Sequence, residues 1–425
     1  MTRTPASGFR GLGRTEVTTP DELEGVDVHR ERILSDLTPI EPAEVGLSDV
    51  LGLVLAEDVR AREQLPPFSN SAMDGYAVVA ADLAGVDAQR PVRLRVVGEV
   101  AAGPGLPPRV EPGAAVRIMT GAPVPPGANA VVPVEVTRES DGEVTIFRSF
   151  PVATNIRPAG EDVPAGQLVL RAGRRLRPGD IALLAALGRS RVRCHPRPRV
   201  LVLSTGSELV APDEPLRPGA IRDSNGPMLA ALVRQAGAVP FSAGIVPDEP
   251  KRLEHAFESN LGHCDLVITS GGVSAGAHDH VRDVLRTLGE VRVTKVAMKP
   301  GMPQVWGRVR GVPVFGLPGN PVSSFVSFEV FVRPARRRLQ GRVDLLSPTV
   351  AARLTEDVRS ARAKRTYLRV GLRQEAGRWM ARLSGGQGSH QLSGLLDVDG
   401  LAEIPEERTT VRSGEHVRVH LLADV

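Results

Sequence analysis

Residues 265–279 read Asp265-Leu266-Val267-Ile268-Thr269-Ser270-Gly271-Gly272-Val273-Ser274-Ala275-Gly276-Ala277-His278-Asp279, and this stretch decides the fold. Leu266, Val267 and Ile268 form a short apolar run bounded by polar and glycine residues. A buried strand of a parallel sheet has that form, although periodicity alone does not separate it from a helix segment. Gly271, Gly272 and Gly276 follow, and a helix is expected over 278–288. Strand, glycine-rich turn and helix start make an anion cradle. Glycines without Cβ let backbone N–H groups approach a charged ligand, and the helix N-terminus adds partial positive charge. Asp279 at that start would repel a phosphate unless a cation lay between them, which points to magnesium. The same pattern also serves plain strand-to-helix packing. It is not a P-loop, because no Gly-Lys-Ser/Thr follows, and it lacks the Gly-x-Gly-x-x-Gly spacing of a dinucleotide fold.

On both sides of this stretch strands and helices alternate. Strands are expected at 199–203, 239–246, 291–296, 304–309 and 312–315. Helices are expected at 225–236, capped by Asp223 or Ser224, at 249–260 and at 322–339. Such alternation implies a parallel sheet with helices on both faces, whose ligands sit beyond the carboxyl ends of the strands. The segments that follow the strands are Ser204-Thr205-Gly206-Ser207-Glu208, Pro247-Asp248, Ser270-Gly271-Gly272, Lys299-Pro300-Gly301 and Leu317-Pro318-Gly319-Asn320-Pro321. Each alone is an ordinary turn. Together on one rim they would form a preorganised pocket of mixed charge.

The remainder of the chain has other textures. Residues 1–19 carry Arg, Gly, Ser and Thr without an apolar signal core and read as a disordered tail. Helices are expected at 26–37, at 48–58 with Ser48 as N-cap and Val50, Leu51, Val54 and Leu55 on one face, and at 178–187. Between 66 and 160, Val-rich runs alternate with Pro and Gly turns, as in a small β domain. From about 343, strand texture returns at 366–372, 379–384, 401–404 and 417–421. The expected architecture is a multidomain α/β plus β chain. It comprises a discontinuous helical domain (20–65 and 161–196), an inserted β domain (66–160), a central three-layer α/β domain (197–340) and a C-terminal β-barrel (341–425).

Composition narrows the function classes. The 425 residues carry a formal charge of +4, which suits small anionic substrates as well as nucleic acid. An aromatic content of 3% leaves few stacking platforms for single strands, and no zinc-finger or homeodomain pattern is present, so nucleic acid is not expected. Cys194 and Cys264 are isolated, fitting neither a redox pair nor a zinc site, and so few thiols suit a reducing cytosol. The longest apolar run, 181–187, is far too short to span a bilayer. A cytoplasmic protein without membrane contact is expected.

Asp248 and Asp279, on adjacent rim loops, offer the hard oxygens that Mg²⁺ takes together with phosphate and water; each can equally cap a helix. Lys299 would supply a point charge for an oxyanion.

At this point the residues carry a family resemblance. Pro66-Pro67-Phe68-Ser69-Asn70-Ser71-Ala72-Met73-Asp74-Gly75-Tyr76-Ala77-Val78 resembles the signature of the molybdopterin molybdenumtransferases, the MoeA and gephyrin E-domain family. Arg117-Ile118-Met119-Thr120-Gly121-Ala122-Pro123, Gly160-Glu161-Asp162, residues 204–209, Asp223-Ser224-Asn225-Gly226, residues 265–279 and residues 316–324 match the same family in order. The likeness covers nearly the whole chain after the tail.

The resemblance implies an enzyme of molybdenum cofactor synthesis. It would insert molybdate into adenylylated molybdopterin and release AMP with Mg²⁺ present, with the substrate's own sulfurs binding the molybdenum. It also implies an elongated homodimer, with an active site between the α/β domain of one subunit and the inserted β domain of the other, and a dimer-forming role for the helical domain. Molybdopterin adenylyltransferase and other proteins of the same biosynthesis are the implied protein partners.

By similarity, Asp74, Thr120, Asp162, Glu208, Asp248, Asp279, Pro318 and Pro321 are active-site positions, with Asp248 and Asp279 as metal ligands. Lys299, Ser323, Arg369 and Ser389 are the molybdate candidates. Ser270, Gly271, Gly272, Ser274, Gly276, Gly319 and Asn320 complete the expected substrate-binding set. One departure stands out: many members carry a second lysine in a Lys-Pro-Gly-Lys-Pro loop, where this chain has Met302, with one positive charge and three donors fewer.

Two rival activities remain in view. The α/β domain also resembles that of the adenylyltransferases, against which the flanking β domains speak. A gephyrin-like scaffold would call for protein-binding inserts or a long linker, and the chain has neither. A degenerate paralogue is disfavoured by Asp74, Asp248 and Asp279.

Overall fold

The structure, a computed structural model, describes residues 23–271 and 280–422. The chain divides into two units, residues 43–194 and residues 1–42 with 195–425.

The larger unit is built on a six-stranded sheet. Its strands are β1 (Arg199–Thr205), β2 (Val239–Val246), β3 (Leu266–Ser270), β4 (Gly289–Lys295), β5 (Pro303–Val309) and β6 (Val312–Leu317), in the spatial order β2-β1-β3-β6-β5-β4. Within the quoted stretch Leu266–Ser270 is a central strand as expected, paired in parallel with β1 (Ile268 with Val202) and with β6 (Ile268 with Phe315). The sheet is not wholly parallel, which corrects the sequence reading. β5 runs antiparallel to β6 and to β4. Only Arg310 and Gly311 lie between β5 and β6, both at positive φ (48° and 84°). Two such residues close a tight hairpin, whereas a parallel crossover needs a dozen or more. Because β4 is antiparallel to β5, it regains the direction of β1, β2, β3 and β6. The segment after β4, which carries Lys299, therefore leaves from the same rim as the other four.

Alternate residues of the strands feed two cores, as the period-two geometry of a strand requires. Val200, Val202, Leu266, Ile268 and Phe315 pack with Leu229, Leu232 and Val233 of the helix Asn225–Gln235 and with Val322 and Val326 of Pro321–Ser327. Leu201, Leu203, Val267 and Val314 pack instead with Leu253 and Phe257 of Pro250–Asn260 and with Val281, Val284 and Leu285 of His280–Leu288. A fully buried side chain of this kind stabilises by about 1.5–3 kcal/mol, so a one-residue register slip would exchange both cores at large cost.

The helix Val26–Ser35 forms where expected, but Val26 and Ile33 belong to the first of these cores. It thus groups with residues 195–425 and not with 43–65, contrary to the expected 20–65 segment. The C-terminal strands close a barrel. Thr349–Leu354, Arg365–Glu375, Arg378–Leu383, Gly400–Ile404 and His416–Leu421 pair in a ring, because Arg365–Glu375 bonds both Arg378–Leu383 and Gly400–Ile404.

The unit 43–194 contains the expected β texture over 66–160. Its six-stranded sheet has the order Ala130–Pro133, Gly75–Val78, Ala114–Ile118, Val92–Val100, Glu143–Ile146, Thr137–Ser140. Gly75 is required there, since a Cβ would lie 1.9 Å from Val132 O. The helix Pro178–Ala186 forms as expected, with Pro178 in its first turn and Asp180 accepting from the Arg177 N–H at 2.9 Å. The helix expected over 48–58 does not form. Val50, Leu53, Val54, Leu55 and Val59 are all buried, Gly52 takes a left-handed φ of 77°, and Val54–Leu55 and Val59–Arg60 are short strands. A left-handed residue ends any helical run, and the burial of Leu53 with the exposure of Leu51 departs from the single apolar face that an amphipathic helix needs. The flanks of the inserted β sheet are therefore mostly short strand pairs with one helix, and the expected helical character is corrected accordingly.

Among the described residues no helix is long and apolar enough to cross a membrane. Cys194 and Cys264 are free and buried, and burial pushes both thiols up to about 11.

Candidate functional site

The carboxyl rim of the sheet is tied together by side chains of the strand-end segments. Gly271 passes so close to β1 that a Cβ would sit 2.6 Å from Thr205 O; its N–H donates to Leu317 O at 3.1 Å, and Thr205 Oγ1 donates to Ser270 O at 3.3 Å. Asn225, at the first turn of its helix, donates through Nδ2 to Ser270 Oγ and to Gly319 O, both at 2.7 Å. Its Oδ1 is buried without a hydrogen-bond partner among the described residues, as is Thr269 Oγ1. Of the two expected caps, Asp223 is the one used, accepting from the Gly226 N–H at 2.9 Å.

On the same rim the Asp248 N–H donates to Ser207 Oγ at 3.2 Å. The Glu208 carboxylate folds over Gly206, where a Cβ would lie 2.6 Å from Oε2. Pro318 C=O accepts from Ser324 Oγ, fixing the turn that leads through Asn320 to Pro321. Glu208, Asp248, Ser270, Gly271, Pro318, Gly319, Asn320 and Pro321 thus stand on neighbouring segments. Gly272, Ser274, Gly276 and Asp279 lie outside the described residues.

Beside this rim lies a cavity of about 530 Å³, lined by Lys299, Met302, Ser323, Lys364, Gln387 and Ser389 among others. Among the described residues no lining residue is acidic, and two lysines, two serine hydroxyls and an amide line a common space. Its walls are fixed. Met298–Lys299 pairs with the strand Arg365–Glu375 (Lys299 with Thr366). Gly301 turns at a φ of 99°, and Gln304 Nε2 donates to Gly301 O at 2.6 Å and to Ser327 Oγ at 2.7 Å. The segment bearing Ser389 docks on the rim: Asn320 Nδ2 donates to Ser389 Oγ and the Val322 N–H to Ser389 O, each at 3.2 Å.

Arg369, expected to hold molybdate, does not line the cavity and is fully buried. Its Nε donates to Gly394 O at 3.2 Å and its Nη2 to Gly386 O at 2.5 Å, and burial pulls the guanidinium below its usual pKa. A desolvated guanidinium takes the nearest carbonyls, so Arg369 clamps the 385–394 segment that presents Ser389.

Within the unit 43–194, Asp74 and Thr120 come together at the ends of paired strands, next to the Gly75–Ile118 pair. Asp74 Oδ1 accepts from Thr120 N and from Thr120 Oγ1, both at 2.7 Å, and these bonds hold its carboxyl below the usual carboxylate range. Asp162 is placed by its own backbone, whose N–H donates to Leu65 O at 3.0 Å.

Three residues escaped the sequence reading. Asn225 was visible only as part of a quoted motif and a helix start. Lys364 and Gln387 carry no local signal and reach the cavity through barrel pairing. Among the described residues no cluster of three or more His, Cys, Asp or Glu side chains could hold a metal.

Comparisons with known proteins agree along the chain. Residues 25–188 match the MoeA N-terminal region (domain I and II), residues 201–338 a probable molybdopterin binding domain, and residues 351–422 the MoeA C-terminal region (domain IV). Molybdopterin molybdenumtransferase 2 of Mycobacterium tuberculosis is 43% identical over 403 residues, covering 93% of this chain and 99% of that protein. Molybdopterin molybdenumtransferase of Haemophilus influenzae is 36% identical over 405 residues, with the same shares covered. The crystal structure of a molybdopterin biosynthesis MoeA protein from Pyrococcus horikosii superposes with a TM-score of 0.84 at 33% identity, covering 95% of this chain and 100% of that one.

Proposed function

The chain belongs to the molybdopterin molybdenumtransferase family, and from that membership we propose how its residues perform molybdenum insertion in cofactor synthesis. It is a transferase with a MoeA-like multidomain α/β fold. The substrates are adenylylated molybdopterin and molybdate, and the observation that carries this reading is the cavity lined by Lys299, Lys364, Ser323 and Ser389 beside the carboxyl rim, with no acid among its described residues.

The rim takes the nucleotide-bearing substrate. Gly271 and Gly319 admit its phosphates to the backbone, and Asn225 holds the two turns at a fixed spacing. Lys299 and the hydroxyls of Ser323 and Ser389 receive molybdate as a dianion, and Arg369 keeps Ser389 in place. No soft metal ligand is needed from the protein, because the substrate's dithiolate supplies the sulfurs.

A half-exposed carboxylate such as Asp248 fits Mg²⁺, which takes one or two carboxylates with phosphate oxygens and water. Asp248 and Asp279 would hold it, and when bound it offsets charge on the phosphate bridge from which AMP leaves. Glu208 follows Ser207, whose hydroxyl accepts from the Asp248 N–H, and its carboxylate would orient a water or a ribose hydroxyl. We further propose a cytoplasmic homodimer, a three-layer arrangement of the α/β domain, and a role for Asp74, Thr120 and Asp162 at the site completed by a second subunit.

The test is reconstitution. Purified protein mixed with adenylylated molybdopterin, Mg²⁺ and molybdate should release AMP and active cofactor in equal amounts. AMP formation that ignores molybdate would sink the reading.

A further inference from the structure

We infer that Lys364, from the start of a barrel strand, is the second cationic ligand of the oxyanion cavity and sets its affinity. This rests on reading that cavity as the oxyanion site and adds a residue to it.

The argument begins with placement. Lys364 is 65 residues beyond Lys299 in sequence, yet both line one cavity of about 530 Å³. The segment is anchored on either side of it. The Arg365 N–H donates to Ala297 O at 2.9 Å, Met298 pairs with Arg365 and Lys299 with Thr366, and the Ala363 N–H donates to Glu406 O at 3.2 Å. Ala363 turns the chain at a left-handed φ of 57°, and the Arg365 side chain is tied to Asp27 at 2.9 Å and to Glu406 at 3.1 Å. Lys364 is thus presented from a pinned backbone and is half-buried, not swung from a free loop.

The second step is charge. The Lys364 Nζ contacts Met302 Sδ at 3.6 Å. A thioether is a weak acceptor without charge, so this contact orients the ammonium while leaving its charge and remaining donors for a ligand. Among the described residues no carboxylate lines the cavity, so two lysines share it, an arrangement relieved by a guest of charge −2. A tetrahedral dianion with four oxygens matches two ammoniums, the Ser323 and Ser389 hydroxyls and the Gln387 amide. Met302, where the sequence has no cation to offer, becomes the rest on which the replacement cation lies.

The test is calorimetric titration of the full-length protein with molybdate and with tungstate. The variants are Lys299→Ala, Lys364→Ala, Lys364→Gln and the double variant Lys364→Ala/Met302→Lys, each checked for an unchanged thermal midpoint. Loss of a charged hydrogen-bond donor should weaken binding by about 10- to 100-fold in Lys364→Ala and Lys364→Gln. The double variant, which returns an ammonium at the Met302 side of the same cavity, should recover to within about threefold of the parent. Weakening without such recovery would assign Lys364 a structural role and overturn the inference. If Lys299→Ala weakens binding while Lys364→Ala does not, the inference fails and the cavity reading stands. If the parent protein binds neither anion, or Lys299→Ala changes nothing, both fail together.

Discussion

Two cavities in the larger unit share a polar lining and differ in how their charges are settled. One, of about 440 Å³, is lined by Asp27, Arg30, Arg365, Glu403, Arg418 and His420 among others. There Arg365 meets Asp27 at 2.9 Å, Glu403 meets His420 at 2.7 Å, and Arg30 is paired with Asp27. The other presents Lys299 and Lys364 and, among the described residues, no acid. Counting ionisable groups would favour the first. Counting unsettled charge favours the second, because a cation already paired with a carboxylate has little left to offer an incoming anion. A cavity becomes an anion site through the acids it excludes.

Substitutions can break that contrast. The largest loss of stability is expected on the paired side: Arg365→Leu would take the guanidinium from Glu406 and leave Asp27 to Arg30 alone, and should lower unfolding stability by about 2–3 kcal/mol, measured by urea titration. Its half-saturating molybdate, measured well below the unfolding midpoint, should remain within about twofold of the parent; a loss comparable to that of a lysine variant would erase the distinction between the cavities. On the unpaired side, Lys299→Ala should raise half-saturating molybdate by about 10- to 100-fold, equivalent to about 1.5–3 kcal/mol, with little change in stability. Unchanged kinetics would remove Lys299 from the oxyanion site.

Arg369→Leu lies between the two. It should destabilise by about 1–3 kcal/mol through the orphaned Gly386 and Gly394 carbonyls and should weaken molybdate binding indirectly, through Ser389. Loss of binding without any loss of stability would instead make Arg369 a direct ligand.

The smallest effect is a pH dependence confined to the paired cavity. Burial alone would raise the Glu403 carboxyl, but the hydrogen bond and charge of His420, with Arg365 and Arg418, bring it below its ordinary value of 4.5. The unfolded chain therefore binds the proton first as pH falls. Stabilisation by this carboxylate is present above about 4.5 and is lost as pH drops through the folded value. In His420→Phe the acid limb of the stability profile should move to higher pH. An unshifted limb would show that the Glu403–His420 contact contributes nothing to it.

Much of the fold was legible in the chain. The run Leu266-Val267-Ile268 with its glycines announced a central strand, and Val239–Val246 and Asn225–Gln235 lie where alternation of texture placed them. Two misreadings have a common cause. The spacing of Val50, Leu51, Val54 and Leu55 looks helical, but Gly52 at positive φ breaks the run and leaves Leu51 half exposed while the other three are buried. The hairpin at Arg310-Gly311 was hidden because runs of apolar residues do not state their direction. Loop length did state it, since two residues cannot carry a crossover.

For the site, short-range chemistry was readable and long-range assembly was not. Strand ends followed by Gly, Pro, Ser and Asp determine by themselves that a ligand edge exists, because strands of like direction deliver their carboxyl ends to one side. Which residues beyond that edge share its space was decided only by the tertiary structure. Barrel closure and the Met298–Lys299 pairing bring Lys364 and Gln387 to Lys299, while the same closure buries Arg369 behind them. The physical reason is that local backbone preferences act over a few residues. The pairing of distant strands, settled by burial of whole faces, determines where a charge finally stands.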